Sequence, residues 1–219
     1  PLSWHSSPRT AVLECPPSPP GCSWAGKVLV VGQDRVEIYD PATHRFSDSG
    51  QTIQRRFEPV VAALADGRVL IGGGRGWDNN GAPFDLDSLE LYDPAVLFNP
   101  AQPSAQFSLL SGQEKKLSVK RSQGVAVRLQ DGRVLITGGV QSANGWQQVQ
   151  AADIFDPNGN TVKVETVAMT GEVGTTLSTV LMSYDALNRM TGYSGPGGSA
   201  SYGFRGAEWH RTSATEGAS

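Results

Sequence analysis

Two polar loops, residues 75–87 and 140–148, carry the side chains best suited to contact a ligand. Each loop has one tryptophan with amide or carboxylate side chains close by. Aromatic faces beside such groups suit stacking on sugar rings or docking of a peptide. Alternatively, each tryptophan folds back over its own scaffold, as loop tryptophans commonly do. The candidate ligand-binding side chains are Trp77, Asp78, Asn80, Asp85, Asn144, Trp146 and Gln147.

The first loop also offers oxygen atoms that could hold a calcium ion, from Asp78, Asn80, Asp85 and Asp87. Gly81 does not stand where an EF-hand loop requires glycine, so no established calcium motif is matched. A solvated acidic loop is the interpretation that we favour. Calcium stays open as an alternative, and no other cofactor is predicted.

No spacing typical of a catalytic site occurs along the chain. His5, His44 and His210 are far apart, and the sequence shows no nucleophile–base pattern, phosphate-binding loop or zinc motif. The glycines at 72–74 lead into no predicted helix, so they do not form a dinucleotide-binding loop. We therefore predict no catalytic residue.

Both loops belong to an internal repeat, the signal that best defines an architecture. Residues 66–74 (DGRVLIGGG) recur as residues 131–139 (DGRVLITGG), and a degenerate copy begins at residues 27–32 (KVLVVG). Each copy is followed by an apolar–aromatic–Asp–Pro tetrad. The tetrads are residues 38–41, 91–94 and 154–157.

Each repeat predicts four antiparallel strands. Asp-Gly is a hairpin-turn dipeptide because glycine accepts a positive φ, and the Val-Leu-Ile run after it indicates a buried strand. The tetrad ends a third strand with a turn, and a more polar fourth strand follows. Such repeated units are typical of β-propeller blades. We predict an all-β fold with three blades in residues 1–171, at about 9–50, 56–111 and 121–170.

Composition narrows the class of partner. The net charge of −3 gives no electrostatic reason to expect nucleic acid, and no apolar run approaches the ~20 residues that span a membrane. Cys15 and Cys22 frame a proline-rich loop stiff enough to hold them close, which predicts a disulfide and a secreted or periplasmic protein. The alternative is a pair of free thiols in a surface loop.

The DGRVLI segment, the glycine doublet and the Tyr-Asp-Pro turn together resemble the kelch repeat, in the bacterial variety grouped with the central domain of galactose oxidase. The resemblance covers residues 56–170 and, less closely, residues 9–50. It implies a propeller that serves as a binding or scaffolding module for a protein or glycan ligand. Arg56 and Arg121 occupy the same offset in two units. They are predicted either to line a central channel or to tie blades together.

Kelch-type enzymes supply the alternative function. The chain would then be part of a carbohydrate-active enzyme, similar to sialic acid mutarotases or to the oxidase, with a site completed by further blades. The oxidase resemblance implies a copper centre of two histidines, two tyrosines and a cysteine cross-linked to tyrosine. The scattered histidines and the paired cysteines do not supply that set.

The number of blades is small for this family, whose propellers generally have five to eight. Residues 172–211 are predicted to be a degenerate fourth blade or a linker, and residues 212–219 a flexible tail. The chain is thus expected to be an incomplete or small propeller, completed by further blades or by a homodimer. Residues 75–87, 111–118 and 140–148 are expected on one contact face, because connections between second and third strands emerge beside those between blades.

Overall fold

In the computed structural model the elements bounded within the described residues are β-strands. The residues described are 7–17, 21–33, 35–78, 80–111, 115–142, 146–156, 160–170, 173–185, 189–196, 198–204 and 211–217. They contain no α-helix, so none is long and apolar enough to cross a membrane. The predicted all-β class is confirmed, and the four-strand antiparallel sheets fit propeller blades.

Sheet 1 is a four-strand antiparallel meander. Its strands are β1 (Arg9–Val12), β2 (Val28–Val31), β3 (Val36–Asp40) and β4 (Arg45–Asp48). The connection between β1 and β2 carries the Cys15–Cys22 disulfide, which confirms that prediction.

Sheet 2 repeats this order with a hairpin inserted between its second and third strands. The sheet consists of β5 (Val60–Ala63), β6 (Val69–Gly72), β9 (Leu89–Tyr92) and β10 (Phe107–Leu109). The inserted hairpin is formed by β7 (Arg75–Trp77) and β8 (Pro83–Asp85).

Sheet 3 begins in the same way, again with an inserted hairpin, and then continues outward. Its first strands are β11 (Val125–Arg128), β12 (Val134–Thr137), β15 (Ala151–Phe155) and β16 (Thr161–Thr170), with β13 (Val140–Gln141) and β14 (Gln147–Gln148) as the hairpin. Four further strands add to the edge at β16. They are β17 (Val173–Tyr184), β18 (Met190–Gly195), β19 (Gly198–Phe204) and β20 (Arg211–Gly217). Strands β17–β20 therefore extend sheet 3 instead of forming a separate sheet, and a fourth blade in residues 172–211 stays a prediction.

The repeated turn residues act as their chemistry suggests. Gly67 and Gly132 have φ values of +89° and +86°. The carboxylates of Asp66 and Asp131 each accept a hydrogen bond from the backbone N–H two residues later, at 3.1 Å in both copies. The turn that joins the first two strands of sheets 2 and 3 is thus built twice from the same contacts.

Apolar side chains fill the spaces between neighbouring sheets. β1 contacts β5, and β5 contacts β11, so the first strands of the three sheets lie side by side. One core cluster joins sheets 1 and 2, and a second joins sheets 2 and 3. Sheet 2 is therefore covered on both faces, which is expected of blades packed around an axis.

Candidate functional site

A cleft of about 440 Å³ opens between the connections of sheets 1 and 2. Three parts of the chain form it: the β2–β3 connection, the segment that leads into sheet 2, and the β7–β8 hairpin. Its lining residues are Gln33, Gln54, Arg55, Gly76, Trp77, Phe84 and Leu86. The first hairpin therefore meets the segment between sheets 1 and 2 at a concave surface, whereas the predicted contact face combined it with residues 111–118 and 140–148.

Two half-exposed aromatic rings form one side of the cleft. Trp77 packs edge-on against Phe57, with ring centroids 5.7 Å apart, yet 44% of its surface is exposed. Phe84, 42% exposed, lies against the backbone of Gly76, where a Cβ atom would approach its ring to 2.9 Å. Glycine at this position therefore allows the ring to approach the hairpin backbone closely. Both rings keep surface available to a ligand.

The polar side of the cleft is held from beneath by a buried carboxylate. The backbone N–H groups of Ile53 and Gln54 donate hydrogen bonds to Glu90, at 2.8 and 3.0 Å. The Gln54 side-chain carbonyl accepts a hydrogen bond from the hydroxyl of Ser88. Gln54 is thus positioned by sheet 2, although it belongs to the connection from sheet 1.

Arg56 and Arg121 lie at equivalent positions and make equivalent buried ion pairs. Arg56 donates to Glu90 and to the carbonyl oxygen of Gly73, and Arg121 donates to Asp153 and to the carbonyl oxygen of Gly138. Neither arginine has exposed surface. Each guanidinium group ties strands of its own sheet together, so it does not line an open channel.

Burial changes the proton affinity of these groups. It lowers the pKa of Arg56 and Arg121 below the usual range, and their acidic partners partly oppose that shift. Burial also raises the pKa of Asp153, with Arg121 acting in the opposite direction. Asp153 additionally accepts a hydrogen bond from the backbone N–H of Ser118, in the segment between sheets 2 and 3. The pair therefore anchors the entry to sheet 3, as Arg56–Glu90 anchors the entry to sheet 2.

Trp146 does not line the cleft. Its ring lies under the guanidinium group of Arg75, 4.1 Å from the ring centroid, with 54% of the residue exposed. Arg75 also lies 3.7 Å from Glu58 and 3.9 Å from Asp85, and donates to the hydroxyl of Ser122. The two predicted tryptophan anchors are therefore held by different contacts, Trp77 by Phe57 and Trp146 by Arg75.

Two other side chains predicted to contact a ligand, those of Asp78 and Asp85, instead accept hydrogen bonds from loop residues. Asp78 accepts hydrogen bonds from the backbone N–H groups of Asn80 and Ala82, at 2.9 and 2.8 Å. Asp85 is buried and accepts from the backbone and hydroxyl of Ser142. Across the part of the chain that the structure describes, no three His, Cys, Asp or Glu side chains form a group that could hold a metal ion. Calcium binding by the first loop stays untested.

Some predicted contacts are exposed or lie outside the described residues. Gln147 is exposed on β14. Asn144 and residues 112–114 of the predicted contact face are outside the described part of the chain. Leu117, in the same predicted face, instead packs into the core between sheets 2 and 3.

Sequence reasoning did not single out Gln33, Gln54, Arg55, Phe84 or Leu86 as ligand contacts. Phe84 and Leu86 lie within the predicted loop and carried a usable signal, because apolar side chains in a polar hairpin often line a surface. Gln33 and Arg55 required knowledge of how sheets 1 and 2 are placed. The repeat pattern carries no information on how close the β2–β3 connection lies to the segment that leads into sheet 2.

Comparison with known proteins identifies no family for this chain. No protein-family model and no curated protein matches the chain. Among solved structures, the chain is similar to YjhT, with 14% sequence identity and a TM-score of 0.48. The match covers 88% of this chain and 64% of YjhT, so the chain spans less than two thirds of that structure. This likeness carries no argument about activity.

Proposed function

We propose that this chain is a kelch-like binding module whose cleft between sheets 1 and 2 binds a carbohydrate. The observation that carries the proposal is the pairing of Trp77 and Phe84 with the amide side chains of Gln33 and Gln54 around about 440 Å³. A cavity of this size falls within the range of small-ligand sites.

The chemistry of the cleft suits a sugar better than an apolar ligand. Trp77 and Phe84 can pack against the C–H face of a pyranose ring, and the amides of Gln33 and Gln54 can both donate to and accept from its hydroxyl groups. The Cys15–Cys22 disulfide favours an oxidising compartment, where glycans of cell surfaces and secretions are available.

Binding without catalysis is favoured by the composition of the lining. Among the described residues, those that line the cleft include no carboxylate, imidazole or thiol, the groups that usually act as general acids or bases. Glycoside hydrolysis in particular normally needs two carboxyl groups. The arginines predicted near a channel are buried in ion pairs, so they are not part of this proposal.

An array of neutral and sialylated oligosaccharides, followed by calorimetric titration of the best binder, tests the proposal. Trp77→Ala should weaken binding by about fivefold, because one aromatic contact contributes ~1 kcal/mol. Trp146→Ala is the matched control: it removes a tryptophan of similar exposure that does not line the cleft, and binding should change by less than about twofold.

The melting temperatures of both variants should be measured beside that of the parent, to separate lost binding from lost folding. If no oligosaccharide binds, or if the two substitutions weaken binding equally in folded protein, the proposed site is wrong. Binding of peptides alone, lost on Trp77→Ala, would keep the cleft but overturn the carbohydrate.

A further inference from the structure

Sheet 3 presents an apolar face with no neighbour among the described residues. We name this surface the sheet 3 outer face. It is defined by Val125, Val127, Leu129, Leu135, Ala152 and Ile154, all of which are partly or largely exposed. The matching positions of sheet 2 are fully buried. They are Val60, Ala62, Leu64, Leu70, Leu89 and Leu91.

The contrast is largest on the first strand of each sheet. Val60 is 3% exposed, whereas its equivalent Val125 is 64% exposed; Ala62 is 6% exposed, whereas its equivalent Val127 is 49% exposed. Val60 and Ala62 are buried because they pack in the cluster that includes Val134 of sheet 3. Sheet 3 keeps apolar side chains at the same positions, in a pattern that a neighbouring sheet would cover.

Sheet 1 has the complementary surface on its opposite side. We name it the sheet 1 outer face, defined by Thr10, Val12, Val28, Val30, Tyr39 and Phe46, which are partly or largely exposed. Their equivalents in sheet 2 are Val61, Ala63, Val69, Ile71, Tyr92 and Phe107. All of these except Ala63 belong to the core cluster shared with sheet 1 or pack against it.

An aromatic pair shows that the sheet 1 outer face resembles the face that sheet 2 presents to sheet 1. Tyr92 and Phe107 lie 5.2 Å apart, centroid to centroid, and pack against sheet 1. Tyr39 and Phe46 form the corresponding pair on the sheet 1 outer face, 5.0 Å apart. The sheet 1 outer face therefore matches the surface that sheet 2 presents to sheet 1.

The three sheets also lie on a curve. Arg128, at the end of β11, makes a bidentate ion pair with Glu14, just beyond β1. Its two terminal nitrogens donate to the two carboxylate oxygens of Glu14, at 2.8 and 3.0 Å. Sheet 2 stands between sheets 1 and 3, so this contact requires their first strands to converge on one side. A curved arc of matching units can close on itself when a second arc is added.

We propose that two copies of this chain associate head to tail, with the sheet 3 outer face of each copy covering the sheet 1 outer face of the other. A second copy is expected to cover these faces because each new contact would repeat the packing seen within the chain, between sheets 1 and 2 and between sheets 2 and 3. Two such contacts give a ring of six sheets, within the range of four to eight blades that propellers use. No edge-to-edge strand pairing is needed.

Analytical ultracentrifugation of the full chain across about 1–100 μM tests the proposal. We expect a species of twice the 23.2 kDa chain mass. Val125→Asp and Val12→Asp each place a charge in the proposed contact, and each should weaken association by at least about a hundredfold. Because both side chains are exposed in the single copy, the folded chain should tolerate these changes.

Leu97→Asp is the matched control. Leu97 is 88% exposed in the connection between β9 and β10 of sheet 2 and belongs to neither outer face, so its replacement should leave the mass unchanged. A mixture of the two single variants gives a sharper result. Each variant retains the face that the other has lost, so the mixture should form a two-chain species that neither variant forms alone.

Three outcomes would overturn the proposal. A chain that stays monomeric at about 100 μM shows that a second copy does not cover these faces and points to other blades as the occupant. A dimer that survives both substitutions in folded protein uses another surface. A series of trimers and larger species shows that two arcs do not close.

Discussion

Sheets 2 and 3 are built from nearly the same repeat, yet they differ in what surrounds them. The residues 66–74 and 131–139 form the same turn and strand, but Leu70 is covered by sheet 3, whereas its equivalent Leu135 is partly exposed. The comparison separates two contributions. The repeat determines which side chains point from each face of a sheet. The adjacent sheet determines how far each side chain is buried, and therefore how much it stabilises the fold.

The largest effect should come from contacts that do not depend on the adjacent sheet. Arg56→Ala in sheet 2 and Arg121→Ala in sheet 3 each leave a buried carboxylate without its partner, so each should lower the free energy of unfolding by about 3 kcal/mol or more. Urea denaturation measures this change. Arg133→Ala is the control: its ion pair with Asp131 is about half exposed, so no measurable loss is expected. A much smaller loss for Arg121 than for Arg56 would show that sheet 3 is loose throughout.

The apolar positions should separate the two sheets. Leu70, 1% exposed, packs between sheets 2 and 3, and Leu70→Ala should cost about 3 kcal/mol. Leu135 is its equivalent in sheet 3 and is partly exposed, so Leu135→Ala should cost less than about 1.5 kcal/mol in the single copy. The two unfolding curves should be measured at low protein concentration. Equal losses would contradict the view that burial by the neighbour sets the cost.

The glycine doublets should show the smallest difference in stability between sheets 2 and 3. Gly73 and Gly138 are equivalent, with φ values of +57° and +66°, so alanine is strained at both by about 1 kcal/mol. At Gly73 a Cβ atom would also lie 2.5 Å from the carbonyl oxygen of Arg121, whereas at Gly138 nothing lies within 4 Å. Gly73→Ala should therefore cost about 1 kcal/mol more than Gly138→Ala, measured by thermal and urea unfolding. If both cost the same, sheet 3 does not constrain this turn.

Local patterns in the sequence predicted the fold class well. The Asp-Gly turns, the β-branched runs and the Asp-Pro tetrads each act over a few residues, and the strands form where these patterns place them. Residues 173–217 lack those patterns, and their continuation of sheet 3 depends on pairing with the long strand β16. A sequence gives little information on whether a strand extends an existing sheet or starts another.

The candidate site was predicted less completely, because its groups come together over long distances in the chain. Trp77 was identified from its loop, but Gln33 joins it only through the placement of sheet 1 beside sheet 2. Arg56 and Arg121 were recognised as equivalent. Their acidic partners, Glu90 and Asp153, lie more than thirty residues away within apolar strands and gave no separate signal.

Packing between sheets also determines the order in which parts of this chain can complete their folding during synthesis. The inner face of sheet 1 includes Leu13 and Leu29, which share a cluster with Tyr92 and Phe107 of sheet 2. Sheet 1 can therefore bury that face only after Tyr92 and Phe107 have left the ribosome. We expect neighbouring sheets to fold cooperatively, because the apolar face of one sheet is buried only when the next sheet has formed.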